Sequence, residues 1–512
     1  MPARIHSVAV VGLHSEGVEV EVDVSRQMPA FSIVGLPDTA VQESRERVRS
    51  ATKNSGNAFP NKRIVVNLAP ADVRKQGPSF DLPIAIGILV ASEQIVQEEV
   101  NNILFAGELA LNGELRHING ALSIALYGKR KGFKAVILPM MNTKEAALIE
   151  GITILGANNL GEVIQYLTGD SEALRPVTYD LEELKKEALP YVYQTDMKDI
   201  HGQQQAKRAL EIAAAGGHNI LFNGPPGSGK TLLAKALQSI LPPMTLEESI
   251  DLTCIYSNAG LLQKNISLVF ERPFRSVHHT ASGISIIGGG KFPKPGEISL
   301  AHKGVLFMDE LAEFPKEVLE LLRQPLEDRV ISVSRVQGSH TFPASFMLVA
   351  AMNPCPCGYA TDPEKECTCS EMQIMKYQKK ISGPFMDRID MFLEVPRLSF
   401  QDLQNKEYVP ESSEAVRKRV EAARIAQQKR LKKHTLKSYT TNAEMNNEAV
   451  RKYCTLSSEG TKLIKKAVTE LRLSTRSYFR LLKLARTIAD LEGNDVIEVQ
   501  HIAEALQYRR RE

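Results

Sequence analysis

The 512-residue chain contains no tryptophan, and aromatic residues make up only 6% of it. No aromatic stacking platform is visible, which argues against sequence-specific reading of a nucleic acid. No apolar run approaches the ~20 residues needed to span a bilayer. The N-terminus "MPARIHSVAVVGLHSEGVEVEV" alternates apolar and polar residues where a signal peptide would carry an apolar core. Cysteine is scarce: six residues, four of them clustered, do not form the disulfide framework of a secreted protein. Internal repeats and low-complexity tracts are absent. A cytoplasmic protein with no membrane partner is expected.

What is present is ordinary in bulk, with 43% hydrophobic and 24% charged residues. A chain of this length exceeds one core and should contain roughly two to four domains. The net charge of +3 is unevenly spread: from residue 401 onward, 23 Lys and Arg face 15 Asp and Glu, which leaves the first 400 residues at −5. A basic C-terminal segment hints at an anionic partner, and solvated helix faces are the plainer reading.

Residues 1–168 read as alternating strands and helices. "VEVEVDV", "RIVVNLA" and "KAVILP" are strand runs, and "DTAVQESRERVRSATKNSG" is an Asp-capped amphipathic helix. Residues 169–199 mix charge and proline and suit a linker. A second α/β unit follows at 200–396, with strands in "NILFNG", "GVLFMDE" and "FMLVAAMN". The remainder, 397–512, is helical. The predicted class is multidomain α/β.

The strongest motif is "NILFNGPPGSGKTLLAKALQSIL". A strand runs into Gly224, Pro225, Pro226, Gly227, Ser228, Gly229, Lys230 and Thr231, and then into an apolar helix. This is G-x-x-x-x-G-K-[ST] in the strand–loop–helix context it requires. The glycines let backbone N–H groups face phosphates at a helix N-terminus. Lys230 would reach the β- and γ-phosphates of ATP, and the Thr231 hydroxyl would hold Mg²⁺. In "GVLFMDELAEF" an apolar strand ends in Asp309, suited to the metal, and Glu310, suited to activating water. Asn353 ends the next strand, where its amide would orient that water. Arg388 and Arg476 are candidates to neutralise charge on the γ-phosphate, Arg388 from a neighbouring subunit. Without the other motifs, both would read as surface ion pairs.

These elements, with "RPFRSVHHTASGISIIGGGKFPKPGEISLAHKGVLFMDELAEF", "LRQPLEDR", "AAMNPCPCGY" and "SGPFMDRIDMFLEV", resemble the YifB/ComM family of magnesium-chelatase-like AAA+ ATPases. The resemblance runs from "GLPDTAVQESRERVRSA" to the last helix. It implies an AAA+ P-loop core, a C-terminal helical lid, and a hexameric ring of identical subunits with ATP between them. It also implies that Asn353 is sensor 1, Arg388 the arginine finger and Arg476 sensor 2, with Arg472 and Arg480 as substitutes for the last. Family members of the ComM type are associated with DNA branch migration and integration of single-stranded DNA during natural transformation, alongside recombination proteins. The alternative is a chelatase-like ATPase that remodels a protein partner. Ordinary chelatase ATPase subunits lack the N-terminal domain seen here, which weighs against that alternative.

That N-terminal domain, in "KQGPSFDLPIAIGILVA" and "FAGELALNGELRHINGALSIALYGKRKGFKAVILP", resembles the S5-type α/β protease domain of Lon. Ser79 holds the nucleophile's place, but Leu122 stands where Lon has its lysine, and Lys129 lies two helical turns further on. Leucine cannot take a serine's proton, so no peptidase activity is expected. For the ring's substrate, two loops stand out. "SVHHTASGISIIGGGKFPKPGEISL" carries Lys291 and Lys294, and "RVISVSRVQGSHTF" carries Arg335 near a glycine turn. Related helicases project hairpins from these places onto the DNA backbone, and cations there suit sequence-independent phosphate contacts. Contact with a protein partner is the competing use. His278 and His279 are expected to pack or hydrogen-bond within the first insert rather than bind metal.

Cys355, Cys357, Cys367 and Cys369 form C-x-C-x9-C-x-C within the insertion 353–370. Two thiolate pairs can make a tetrahedral site that favours zinc, provided each C-x-C bends, as Pro356 and Gly358 permit at the first. Free thiols and a regulatory disulfide are the competing readings.

Overall fold

The computed structural model of the chain describes residues 2–11, 14–72, 75, 77–178, 193, 195–262, 268–290, 294–335, 338–398, 410–432 and 439–509. The chain divides into two compact units, Met1–Leu189 with Ser249–Val269, and Pro190–Glu248 with Phe270–Glu512. Among the described residues, no helix is long and apolar enough to cross a membrane.

The first unit is built on a seven-stranded mixed sheet. Its strands are β1 (Ala3–Val11), β2 (His14–Ser25), β3 (Ala30–Val34), β4 (Arg63–Ala69), β5 (Ile103–Phe105), β6 (Ala135–Pro139) and β7 (Thr153–Ala157), in the order β3-β4-β2-β1-β5-β6-β7. β1 and β2 are antiparallel, with Ala3 opposite Val22. The alternation in β2 decides which face is buried: Val18, Val20 and Val22 go into the core and the glutamates between them do not. Three helices matter here, α1 (Thr39–Asn54), α2 (Asp81–Ala91) and α3 (Ala121–Lys131). Beyond its first residue, Asp81, which pairs with Arg47 at 2.6 Å, α2 is apolar all round and almost wholly buried, as a central core helix must be. Asp38 caps α1: its carboxylate accepts the Val41 N–H at 2.8 Å and the Gly77 N–H at 3.1 Å. The segment Ser249–Val269 joins this unit through buried polar contacts, with the Ser257 hydroxyl donating to Glu145 at 2.9 Å.

The second unit carries a five-stranded parallel sheet of β8 (Ile220–Asn223), β9 (Phe274–Val277), β10 (Val305–Met308), β11 (Met347–Met352) and β12 (Met391–Glu394), ordered β9-β10-β11-β8-β12. β10 and β11 are buried at every position, the pattern of strands covered on both faces. The helices of this unit are α4 (Gln204–Gly216), α5 (Lys230–Ile240), α7 (Ser413–Leu431), α8 (Ser458–Glu470), α9 (Thr475–Leu491) and α10 (Val499–Gln507), of which α4 and α5 pack directly on the strands. Between α5 and α7, α6 (Leu246–Ala259) crosses the division between the units.

One apolar cluster joins Phe222, Phe307 and Val349 of the sheet to Ile212, Leu237, Val420, Leu482, Ile488 and Ile502. The C-terminal helices therefore share the sheet's core. Met197 is buried in the same cluster, and Asp196 beside it accepts the Ser413 N–H at 2.9 Å. A chain of buried polar groups ties α9 to the sheet: His218 meets Thr487 at 2.8 Å and lies 3.5 Å from Asp390, just before β12.

Replacing Asp38 by Ala removes the α1 cap and should cost about 1 kcal/mol. Denaturant unfolding followed by circular dichroism reads the loss, and an unchanged midpoint would show the cap to be idle.

Candidate nucleotide site

In a parallel sheet every strand ends on the same edge, so the segments that follow β8, β10 and β11 are brought together. β8 leads into the P-loop, β10 into Asp309-Glu310, and β11 into Asn353. Gly227 and Gly229 have φ of 79° and 90°, the left-handed region that glycine tolerates, immediately before α5 begins at Lys230. Gly224 has a second reason to be glycine: a Cβ there would lie 2.2 Å from the Val395 carbonyl oxygen at the exit of β12.

Lys230 is buried, and its ammonium donates to the carbonyls of Gly224 at 2.6 Å and Pro225 at 2.8 Å and to Asn353 Oδ1 at 3.3 Å. Burial lowers its pKa, and the charge of Asp309 opposes the shift. The Thr231 hydroxyl donates to Asp309 Oδ2 at 3.0 Å, so the two groups suited to Mg²⁺ are already adjacent. Asp309 Oδ1 accepts the Glu310 N–H at 2.9 Å. Glu310 sits at φ 51°, an uncommon conformation for a residue with a Cβ, and its carboxylate lies 3.0 Å from His279 Nδ1. His279 thus leaves its insert to meet Glu310, while His278 stays local and meets Thr280 at 2.8 Å.

Arg388 and Arg476 lie elsewhere. They join Glu327, which takes the Arg388 guanidinium on one carboxylate oxygen at 2.5 Å and the Arg476 guanidinium on the other at 3.1 Å. Desolvation pushes the Glu327 carboxyl up, but the charges of Arg476 and Arg388 outweigh it and hold the pKa below the usual value. The three side chains border a cavity of about 700 Å³ also lined by Gly217 and Asn219, which precede β8. No P-loop residue lines it. Arg480 is occupied instead by the carbonyls of Ile389 at 2.5 Å and Asp387 at 2.6 Å. Arg472 is exposed at φ 46° after α8.

The four cysteine sulfurs lie within 4.8 Å of one another. The pairs Cys355–Cys357, Cys357–Cys367 and Cys355–Cys367 are 3.3, 3.5 and 3.7 Å apart. Four Zn–S bonds of about 2.3 Å in a tetrahedron would separate the sulfurs by about 3.8 Å, so the set fits that ion. None of the four is in a disulfide. The backbone N–H of Tyr359 holds the Cys357 thiol down to about 5, while at Cys367 and Cys369 a backbone N–H is outweighed by burial and the neighbouring thiols, which push them up, so the sulfur geometry rather than the titration is what fits the ion. Gly358, at φ 88°, lets this loop approach the P-loop: a Cβ on it would lie 2.7 Å from Cδ and Cγ of Pro226.

Of the cationic loops, Val330–Arg335 and Gly338–Pro343 form an antiparallel hairpin, with Arg335 opposite Gly338 at its closed end. In the other insert Gly289 pairs with Lys294, which is exposed; Lys291 lies outside the described residues. Gly288, Gly289 and Gly290 all have positive φ, which accounts for the glycine run. In the first unit, Ser79 lies in a short 3-10 turn, Leu122 is fully buried on α3, and Lys129 is exposed in the last turn of that helix.

Residues 196–403 match the family described as magnesium chelatase, subunit ChlI. Residues 410–509 match its C-terminal part. The chain is 44% identical over 508 residues to the uncharacterized protein YifB of Escherichia coli, covering 99% of this chain and 96% of that one. It is also 44% identical over 511 residues to competence protein ComM of Haemophilus influenzae, covering 99% and 97%. The chain belongs to the YifB/ComM family of magnesium-chelatase-like proteins. A further match, described as subunit ChlI of Mg-chelatase, covers residues 20–142.

Gly358→Ala should displace the P-loop of this family member through Pro226, at a strain of about 1–3 kcal/mol. The expected outcome is weaker binding of a fluorescent ATP analogue. Unaltered affinity would mean that the contact with Pro226 yields freely.

Proposed function

We propose that the chain is an ATP-hydrolysing AAA+ motor that works on DNA as a ring, six subunits in number. Its task in this reading is branch migration and integration of single-stranded DNA during natural transformation and recombination. The observation that carries it is the convergence of Lys230, Thr231, Asp309, Glu310 and Asn353 on one edge of the parallel sheet. The full-length likeness to a protein named for competence supplies the biological direction.

In this mechanism the backbone N–H groups of Gly224–Thr231 cradle the phosphates of ATP, and Lys230 moves from the loop carbonyls to the β- and γ-phosphates. Thr231 and Asp309 would hold Mg²⁺, which when bound neutralises charge on the β- and γ-oxygens. Glu310 takes the proton of the attacking water, and Asn353 orients that water. Arg388 serves the γ-phosphate of a neighbouring subunit, and its pairing with Arg476 through Glu327 puts Arg476, the sensor 2 candidate, at the same phosphate. Their place at the N-terminal end of β8 supports this, because the five residue steps from Asn219 to Gly224 span roughly 16 Å of strand. Lys291, Lys294 and Arg335 contact the DNA backbone from the two loops. Cys355, Cys357, Cys367 and Cys369 would hold a structural zinc, and the loop it fixes would brace the P-loop at Pro226. In this scheme 1–168 is a Lon-like domain without a Ser–Lys dyad, a reading that the burial of Leu122 supports. Residues 200–396 are the ATPase core and 397–512 its lid.

The second reading, a chelatase-like ATPase that remodels a protein partner, is favoured by the match of all three segments to chelatase subunit descriptions. A labelled three-strand DNA junction separates the two. Wild type should displace a strand with ATP, and Lys230→Ala and Glu310→Gln should each lose about 10²-fold or more in rate. Equal, ATP-independent displacement by all three, or none by any, would end the motor hypothesis.

Purified chain should contain about one zinc. Cys367→Ser should lose the ion, lower Tm and weaken ATPase activity together. Full metal content and activity in that variant, read by atomic absorption and phosphate release, would remove zinc from the scheme.

A further inference from the structure

Glu327 has no part in the ATPase scheme, yet it holds both of the scheme's arginines. It sits on the short helix Arg323–Asp328, with its side chain about half exposed, so burial does not force it to seek a partner. Its two carboxylate oxygens go to two different guanidiniums, one from the segment before β12 and one from the first turn of α9. A phosphate that bridges two arginines makes the same pattern with more charge and more acceptor oxygens.

The remaining cations of the cavity are committed to the fold. Arg480 holds the backbone at Asp387 and Ile389, and Lys483 donates to the Ala443 carbonyl at 3.0 Å. Arg329 spans Ser345 and Glu444, at 3.1 and 3.0 Å. Arg388 is tied to the fold by one nitrogen only, its Nη1 donating to the Pro384 carbonyl, while Nη2 goes to Glu327. Its side chain is only 10% exposed, and its Nε has no hydrogen-bond partner, so one donor of this guanidinium is unused.

We propose that Glu327 is a positioning residue that stands in for phosphate. Its carboxylate keeps Arg388 and Arg476 paired at the cavity before β8 and yields them to the phosphates of a nucleotide carried by a second copy of this chain. The proposal rests on the ATPase reading for the identity of that anion. It adds a direction of effect: Glu327 competes with the incoming phosphate, so neutralising it strengthens anion binding. A carboxylate with a purely structural role would have the opposite sign, because its loss would scatter the two arginines.

The test uses the full chain carrying Lys230→Ala, which disables its own P-loop, titrated with inorganic tripolyphosphate in a calorimeter. Adding Glu327→Gln should tighten binding by about tenfold, the scale of one charge-assisted hydrogen bond. Adding Arg388→Ala or Arg476→Ala should abolish that gain. Equal or weaker binding in the Glu327→Gln chain overturns the proposal. With the P-loop intact, Glu327→Gln should also lower the protein concentration at which ATP hydrolysis is half-maximal, and a rise would overturn it equally. A wild-type chain that hydrolyses no ATP sinks the ATPase reading, while the tripolyphosphate titration still decides what Glu327 does.

Discussion

The strands of the second unit's sheet all run one way, and that polarity sorts its charges to two opposite edges. Where β8, β10 and β11 finish, the chain supplies a loop of backbone N–H groups at a helix N-terminus, two carboxylates and an amide. That set is suited to an anion and a cation together. Where β8 and β12 begin, the chain supplies guanidiniums. An antiparallel sheet would have mixed the two sets along each edge. Here the buried strands lie between the two sets, and the cavity that Arg388 borders is lined by none of the P-loop residues.

The P-loop is braced from two directions, both at glycines. Gly224 lies against the carbonyl that ends β12, and Pro226 lies against Gly358 of the cysteine loop. The cluster of sulfurs is therefore mechanically close to the P-loop. Asn353 couples the same two elements from the other side, since it accepts from Lys230 and stands two residues before Cys355. An ion that fixes the cysteine loop would fix both contacts, whereas a loop of free thiols would leave Pro226 resting on a mobile partner.

Much of this was legible in the sequence because it is local. The P-loop glycines, the apolar run into Asp309, the Asp38 cap and the β2 alternation each depend on neighbours within a few positions. The four cysteines were legible as a set because their chemistry is rare. What stayed hidden depends on contacts across long sequence separations. Nothing in "LRQPLEDR" marks Glu327, whose partners lie 61 and 149 positions away. His279 looked like a local group because its link to Glu310 exists only once β9 is laid beside β10. That Ser249–Val269 would pack with the first unit was equally unreadable, since its helix pattern is compatible with either. Arg388 and Arg476 were each recognisable, but their pairing was not.

That pairing constrains assembly more than either arginine does alone. If the arginine edge of one chain serves the phosphate edge of another, the contact joins two different patches and is heterologous by construction. A two-fold dimer would place like patches together and would satisfy neither edge unless it served both at once. Head-to-tail contacts instead propagate, closing into a ring when the rotation between neighbours divides a full turn and opening into a filament otherwise. In a closed ring every site is complete, and in any open oligomer one nucleotide lacks its arginines and one arginine pair lacks its phosphate. An internal carboxylate that satisfies the unmatched pair therefore has most effect at the open end. There Glu327 would cap the arginine edge until the next subunit arrives.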